Sequence, residues 1–198
     1  VYLLVAFVVM DTDESYTHYA LIIPISYVLG SIPWSLLITM AMKGVDIREY
    51  GSGNIGTSNV LRSAGGPYAT LALLLDTSKG LLAVLLARVI ADNAMIEATA
   101  GLLALVGHNW PIFLAFKGGK GIATGLGGLL VLEPIVAAIA LLSIFVPVTL
   151  ISRYLSLGSI ISVLAAFLCM LTMVAIGQSS AEYMIYTGVG GTMIWWQH

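Results

Sequence analysis

Long apolar stretches separated by short polar loops constrain the fold of this chain most. A helix that crosses a bilayer needs about 20 residues, and several stretches reach that length. The pattern predicts seven membrane segments, of which the fourth is a short or half helix: residues 19–42, 67–91, 98–116, 122–132, 134–151, 157–177 and 182–197. Only 9% of the residues are charged, against about 25% in soluble domains. We therefore expect an all-α fold, a polytopic membrane helical bundle.

Basic and acidic residues separate onto opposite sides of these segments. One side carries six basic residues: Lys43, Arg48, Arg62, Lys117, Lys120 and Arg153. The other side carries acidic residues, with Arg88 close by: Asp11, Asp13, Glu14, Asp92, Glu97, Glu133 and Glu182. Lys and Arg accumulate in cytoplasmic loops. The pattern therefore predicts that the N-terminus is outside and that the C-terminus, at His198, is cytoplasmic.

The sequence predicts one transmembrane domain over residues 19–198, preceded by an uncertain leader over residues 1–18. Residues 1–10 are apolar but too short to cross about 30 Å of hydrocarbon at about 1.5 Å per residue. A single cysteine, Cys169, excludes a disulfide framework. The sequence has no cluster of His, Cys and Glu suited to zinc, so we expect no metal and no other cofactor.

Two polar stretches on the basic side, GSIPWS (30–35) and DIREYGSGNIGTSNVLR (46–62), are candidates for an anion site. Glycines let backbone N–H groups approach a ligand, and Arg48 and Arg62 supply forked cations suited to phosphate. A solvated polar loop with ordinary turn glycines explains the pattern about equally well. Neutral donors and acceptors follow in the second stretch: Ser52, Asn54, Thr57, Ser58 and Asn59.

The stretch GHNWPIFLAFKGGKGIATG (107–125) is another candidate for an anion site. Its glycines free backbone N–H groups, Lys117 and Lys120 add charge, and the helix that follows points its positive N-terminus at the loop. It is not a nucleotide P-loop, because Gly121 and not Ser or Thr follows Lys120. Lys117 followed by Gly118 is also a common pattern at the C-terminal end of a helix, whereas Lys120 lies beyond that end.

Three further polar features carry weaker signals. The turn SRYLSLGS contains Arg153 and Ser156, but an interfacial Arg-Tyr pair is a common membrane anchor. Asp76 and Lys79 lie on one helical face inside a membrane segment, where ionised groups are costly, so we expect them to pair in a structural role. For His108, a role in helix packing is favoured over a functional one.

The sequence resembles the PlsY family, which are bacterial integral-membrane acyl-phosphate:glycerol-3-phosphate acyltransferases. The resemblance runs from about residue 21 to the end and rests on five stretches in order: GSIPWSLLI, DIREYGSGNIGTSNVLR, LLLDTSKG, GHNWPIFLAFKGGKGIATG and SRYLSLGSI. It implies seven transmembrane helices in the bacterial inner membrane, with the active site facing the cytoplasm. It also implies transfer of a fatty acyl group from acyl phosphate to the 1-hydroxyl of sn-glycerol 3-phosphate. Lysophosphatidic acid and inorganic phosphate would be released, in the first step of bacterial phospholipid synthesis.

The resemblance also implies roles for individual residues. Four are expected to be catalytic: Ser31, Arg48, Ser156 and His198. Ten are expected to bind substrate or phosphate: Ser52, Asn54, Asn59, Lys117, Gly118, Gly119, Lys120, Gly121, Thr124 and Arg153. The family's last motif continues past its histidine with an Asn-Ile pair and a basic run, whereas this sequence ends at His198. We therefore expect the last motif to be truncated here.

The expected partners are acyl phosphate, glycerol 3-phosphate and membrane lipid, with no nucleic acid, and the chain is expected to be a monomer. Acyl phosphate is already activated, so we expect direct acyl transfer without an acyl-enzyme. The main alternative is a transporter for a phosphorylated or anionic metabolite, because broken Gly-rich helices also suit transporters. The lack of an inverted repeat counts against it. A non-catalytic lipid-binding subunit is a further alternative.

Overall fold

The computed structural model describes the backbone from Tyr2 and the side chains from Tyr16 to the C-terminus. This part of the chain contains no strand. Its α-helices are α1 Tyr2–Ser31, α2 Trp34–Lys43, α3 Thr57–Ser63, α4 Gly66–Ala91, α5 Ala94–Asn109, α6 Ile122–Leu132, α7 Pro134–Ala138, α8 Val146–Ser152, α9 Leu155–Ala175 and α10 Glu182–Trp196. The fold is the expected all-α bundle. The predicted leader, residues 1–18, falls largely outside the described side chains.

Four helical stretches are long and apolar enough to cross a membrane: Tyr16–Lys43, Gly66–Ala91, Pro134–Ser152 and Leu155–Ala175. Apolar side chains cover their outer faces; Val89 and Ile151, for example, are 84% and 85% exposed. These properties fit a polytopic membrane protein. The count of seven spanning helices and their orientation remain predictions.

The first predicted segment, residues 19–42, is interrupted at Ile32 and Pro33. Proline has no backbone N–H and its ring clashes with the preceding helical turn. Helix α1 therefore ends at Ser31, and α2 begins at Trp34. The interruption places Ser31 beside an irregular piece of backbone inside the bundle.

The third predicted segment, residues 98–116, is shorter in the structure. Helix α5 ends at Asn109, because Pro111 disfavours the helical conformation of Trp110, whose φ and ψ are −130° and 67°. A loop over residues 110–121 follows. The next helix, α6, has 11 residues, which confirms the predicted short helix.

Glycines allow the central helices to pack backbone against backbone. A Cβ on Gly80 would collide with the carbonyl oxygen of Thr124, so α4 and α6 are in direct contact. A Cβ on Gly107 would likewise collide with the carbonyl oxygen of Tyr27, where α5 meets α1. Small residues have this function in membrane helix packing generally. The contact at Gly80 places the start of α6 against the middle of α4, about 20 Å from the first residue of α4.

Candidate active site

A narrow cleft lies where the break between α1 and α2 meets the loop before α6. Its volume is about 10 Å³, which is the space of about one water molecule. Four parts of the chain therefore meet at the cleft: the end of α1, the loop between α2 and α3 (the polar loop), the middle of α4, and residues 117–121 (the glycine loop). Its lining includes Ser31, Ile32, Pro33, Ile55, Asp76, Lys79, His108, Gly118 and Gly119.

Ser31 ends α1 at the edge of this cleft. The residue is 1% exposed, and its hydroxyl donates a hydrogen bond to the carbonyl oxygen of Tyr27 at 2.8 Å. The hydroxyl oxygen can still accept a hydrogen bond, and the proton can turn to a ligand if the bond to Tyr27 is released.

Asn59 organises the polar loop between α2 and α3. Its Nδ2 donates to the carbonyl oxygens of Ile47, Tyr50 and Asn54 at 3.0, 2.9 and 3.1 Å. Its Oδ1 accepts the backbone N–H of Ser52 at 3.2 Å. Asn59 is completely buried, so in this structure it positions the loop; the substrate contact expected for it stays a prediction. The residues Ser52 and Asn54 are exposed.

Arg48 is exposed and binds an acidic residue of its own loop. Its Nε and Nη2 donate to the carboxylate oxygens of Asp46 at 3.0 and 2.6 Å. This hydrogen bonding raises the pKa of Arg48 and lowers the pKa of Asp46 to about 2. Arg48 does not line the narrow cleft. The bidentate edge formed by Nε and Nη2 can bind a phosphate, as predicted, only after it releases Asp46.

Two N–H groups of the glycine loop, residues 117–121, donate hydrogen bonds to the end of α5. The Gly118 N–H donates to the carbonyl oxygen of Asn109, and the Gly119 N–H donates to that of His108, each at 3.1 Å. These bonds satisfy carbonyl groups that a helix end leaves without partners. The two N–H groups are therefore paired within the protein in this structure, and the anion cradle expected at Gly118 and Gly119 stays a prediction.

Unpaired N–H groups begin at the next residue, Lys120. Those of Lys120, Gly121, Ile122 and Ala123 have no hydrogen-bond acceptor within the described chain. Gly121 has a φ of 81°, a conformation that favours glycine, and it turns the chain into α6. The unpaired groups lie at the positive end of the α6 dipole, where anions are stabilised. We call these four N–H groups the N–H cradle.

Lys120 belongs to a cluster of basic side chains beside the N–H cradle. Partial burial lowers the pKa of Lys120, and the charge of Arg62 lowers it further. Partial burial also lowers the pKa of His198; a hydrogen bond from Nδ1 to the carbonyl oxygen of Ile194 at 3.0 Å opposes this, and Lys120 lowers the pKa again. No carboxylate contributes to either shift. The cluster thus favours an anion, and it includes Arg62, which was named from the sequence as a cation suited to phosphate but not among the expected catalytic or substrate-binding residues.

Three further predicted site residues are also exposed and lie outside the narrow cleft: Lys117, Arg153 and Ser156. Their side chains have no hydrogen bond or ion pair with any described residue. Arg153 has a φ of 62° and ends α8, and Ser156 lies in the first turn of α9. The structure therefore shows both at the turn between these helices and leaves their predicted roles open.

A buried ion pair lines the narrow cleft. Nζ of Lys79 is 3.0 Å from Oδ1 of Asp76, with both side chains 2% exposed, which confirms the predicted pairing. Ser35 of α2 donates to Oδ2 of Asp76 at 3.0 Å. Lys79 donates to the carbonyl oxygen of Ile32 at 3.0 Å. The pair therefore joins α4 to both sides of the α1–α2 break.

His108 and Thr124 complete this buried network. Nδ1 of His108 is 2.9 Å from Nζ of Lys79 and 3.1 Å from the hydroxyl oxygen of Thr124. The Thr124 hydroxyl donates to the backbone carbonyl of Asp76 at 2.9 Å, so it faces the network in this structure. The phosphate contact expected for Thr124 stays a prediction. His108 therefore belongs to a polar network in addition to the helix-packing role favoured for it from the sequence. The sequence signal for this network was the presence of three ionisable residues, Asp76, Lys79 and His108, in apolar segments, because such groups are costly in a membrane.

An apolar groove of about 270 Å³ runs along α6. Its walls come from α4, α6, α9, α10 and the π-helical segment Ile139–Phe145, which joins α7 to α8. The groove begins at Ile122, the first residue of α6, and continues to Leu129. Because Ile122 also contributes to the N–H cradle, the groove and the cradle share one end.

Comparisons with known proteins identify the family of this chain. Residues 20–198 match the family model described as "Glycerol-3-phosphate acyltransferase". The chain is 44% identical to the glycerol-3-phosphate acyltransferase of Rubrobacter xylanophilus and 43% identical to that of Synechococcus sp. strain CC9902. Each comparison spans 179 residues, which are 90% of this chain and 86% of the relative.

Two crystal structures of PlsY (YgiH), an integral membrane glycerol 3-phosphate acyltransferase, are similar to this chain. Its glycerol 3-phosphate form has a TM-score of 0.82 at 35% identity. Its lysophosphatidic acid form has a TM-score of 0.81 at 34% identity. In both cases 90% of this chain and 87% of the other are covered. This chain therefore belongs to the glycerol-3-phosphate acyltransferase family.

Proposed function

We propose that this protein transfers a fatty acyl group from acyl phosphate to the 1-hydroxyl of sn-glycerol 3-phosphate. Lysophosphatidic acid and inorganic phosphate are the products. The observation that carries the proposal is the shared end of the N–H cradle and the apolar groove, at Ile122. Acyl phosphate and lysophosphatidic acid each join an anionic phosphate to an apolar chain, so one arrangement fits donor and product. The PlsY forms with glycerol 3-phosphate and lysophosphatidic acid support this acceptor and this product.

The reaction proceeds without an acyl-enzyme. The hydroxyl oxygen of glycerol 3-phosphate attacks the acyl carbonyl carbon, the bond from that carbon to the phosphate oxygen breaks, and phosphate leaves with the electron pair. The proton of the hydroxyl passes to a substrate phosphate oxygen or to Nε2 of neutral His198. In His198 the other nitrogen, Nδ1, donates to Ile194, which leaves the Nε2 lone pair of the neutral ring available.

The protein mainly aligns the substrates and stabilises negative charge. Lys120, with the N–H cradle, holds a phosphate, and Arg153 and Arg48 approach it from their turns, Arg48 after it releases Asp46. Ser31 and Ser156 stabilise the developing oxyanion. Lys120 is the residue most directly supported, because the charge of Arg62 acts on it and its own charge acts on His198.

The protein works as a monomer in the bacterial inner membrane, with the active site on the cytoplasmic face and no nucleic-acid partner. Support comes from the charge pattern: the loops with Lys43, Arg62 and Lys120 lie on the side of the cleft, whereas Glu133 and Glu182 lie on the other. Membrane lipid reaches the apolar groove directly.

An acyl-transfer assay in detergent or lipid cubic phase tests the function. Palmitoyl phosphate and labelled glycerol 3-phosphate are supplied, and palmitoyl-CoA and palmitoyl-acyl carrier protein replace the donor in parallel. We expect labelled lysophosphatidic acid from palmitoyl phosphate only. Product from either thioester would overturn the choice of donor. No product from any donor, with uptake of labelled glycerol 3-phosphate into sealed vesicles, would support the transporter instead.

A further inference from the structure

The buried network around Lys79 determines which nitrogen of His108 carries the proton. Nζ of Lys79 has three acceptors within reach: Oδ1 of Asp76 and the carbonyl oxygen of Ile32, each at 3.0 Å, and Nδ1 of His108 at 2.9 Å. An ammonium has three donors and no acceptor. Nδ1 must therefore accept, and the proton of the neutral imidazole lies on Nε2.

The surroundings of Nδ1 agree with this tautomer. The single proton of the Thr124 hydroxyl can be shared between the backbone carbonyl of Asp76 at 2.9 Å and Nδ1 at 3.1 Å, so both contacts are compatible with an unprotonated Nδ1. Oδ1 of Asp76 is farther from Nδ1, at 3.8 Å. A proton on Nδ1 would instead point at the ammonium of Lys79.

The other ring nitrogen, Nε2, points to the narrow cleft. It has no hydrogen bond to any residue in the described part of the chain, although His108 is 8% exposed. The ring lies against Gly119, where a Cβ would collide with Nε2 and with the carbonyl oxygen of Ile55. Gly119, Ile55 and Ser31 all line the cleft with His108, and the cleft has room for about one oxygen-sized group.

The geometry points to His108 as a further substrate-binding residue, whose Nε2–H donates a hydrogen bond to a phosphate oxygen of the substrate in the narrow cleft. Lys79 and Asp76 are positioning residues, because they set the tautomer and orientation of the ring. A preorganised neutral donor of this kind requires no change of protonation when the anion binds. The inference rests on the proposed phosphate site at Lys120.

The tautomer and the contact can be measured directly by NMR. The full chain is labelled with ¹⁵N-histidine in micelles, and the His108 signals are assigned with the His108→Gln variant, since His18 and His198 are the other histidines. We expect the proton on Nε2, and a saturable downfield shift of that proton as inorganic phosphate is added. A proton on Nδ1 overturns the inference, and so does an Nε2–H signal unmoved by phosphate concentrations that inhibit acyl transfer.

Two substitutions of His108 distinguish loss of the Nε2–H donor from disruption of the buried network around Lys79. His108→Gln keeps an N–H near the position of Nε2, whereas His108→Asn keeps an acceptor near Nδ1 for Lys79 but has no donor in the cleft. We expect kcat/KM for glycerol 3-phosphate to fall by about 100-fold in His108→Asn and by less than about tenfold in His108→Gln. Wild-type activity in His108→Asn, or equal losses in both variants, would overturn the inference.

Lys120→Ala in the same assay separates this inference from the proposed phosphate site. A large loss in Lys120→Ala with no loss in His108→Asn overturns the role of His108 alone. Wild-type kinetics in Lys120→Ala overturns the phosphate site itself. Product formation by the wild-type chain from palmitoyl phosphate tests the overall reaction independently of both.

Discussion

The carbonyl oxygen of Ile32 accepts a hydrogen bond from Nζ of Lys79 at 3.0 Å, across 47 positions of the sequence. Ile32 follows Ser31 in the break between α1 and α2, and Lys79 lies in the middle of α4. The irregular backbone beside the site serine is therefore held by a buried cation from another helix. A break of this kind is tolerated in a membrane bundle when its polar groups find partners inside the protein.

Replacement of Lys79 should be more damaging than replacement of the whole ion pair. In Lys79→Met, Asp76 becomes an unpaired buried charge, and we expect a loss of about 3–5 kcal/mol in the free energy of unfolding. In the double variant Asp76→Asn/Lys79→Met no charge is left unpaired, so the loss should be smaller. Unfolding of the two variants and the wild type in the same detergent measures the difference. A double variant as unstable as Lys79→Met would contradict the pairing.

Asn59→Ala should loosen the loop between α2 and α3. The change removes donors to three backbone carbonyls and the acceptor for the Ser52 N–H. We expect faster limited proteolysis of this loop, together with a lower kcat and a higher KM. The control is Asn54→Ala, whose exposed side chain makes no hydrogen bond to the described residues; its proteolysis should not change. A raised KM with unchanged proteolysis of Asn59→Ala would instead indicate the predicted substrate contact.

Lys120→Ala should raise KM for glycerol 3-phosphate by about tenfold or more and lower kcat. One hydrogen bond from a charged group contributes about 1.5–3 kcal/mol, and Lys120 is the charged side chain of the N–H cradle. Lys43→Ala is the charge-matched control, because Nζ of Lys43 lies 5.0 Å from the centre of the Tyr68 ring and outside the narrow cleft. Equal effects of the two variants on KM would reveal a general charge effect.

The pH dependence of KM should report on Lys120 and Arg62. Burial and the charge of Arg62 lower the pKa of Lys120 below 10.5. The ammonium form binds the anion, so KM should rise as the pH increases through this lowered pKa. Arg62→Gln removes a nearby positive charge, which raises the pKa of Lys120 and should move the rise in KM to higher pH. The position of the rise is the quantity compared, and a shift to lower pH in Arg62→Gln would exclude this coupling.

Much of the bundle could be predicted because apolar length alone separates membrane segments from loops. The short helix over residues 122–132 was recognisable, since its flanking glycines and its length exclude a full span. The ends of α1 and α5 were not recognised, although Pro33 and Pro111 mark them. An apolar sequence that continues past a proline is indistinguishable by hydropathy from one that stays helical.

The site was harder to predict, because hydrogen-bond partners depend on contacts between distant segments. Gly118 and Gly119 look like an anion cradle in the sequence, but the carbonyl groups at the end of α5 use their N–H groups. Thr124 lies one turn into α6, where only the packing of α4 turns its hydroxyl inward. The ion pair of Asp76 and Lys79 was predictable, because both members lie on one turn of one helix.

The π-helical segment Ile139–Phe145 has a consequence for the direction in which α8 leaves it. Its wider turns, such as the bond from the Val146 N–H to the carbonyl oxygen of Leu141, hold more residues than α-helical turns. Because such a segment holds about one residue more than the α-helical turns it replaces, restoring α-helical geometry at the same chain length would rotate the rest of the helix by about 100° about its axis. The composition would be the same, yet Arg153 would lie on another side of the bundle. The π-helical geometry of this apolar segment, and not only its composition, thus sets the position of the turn into α9.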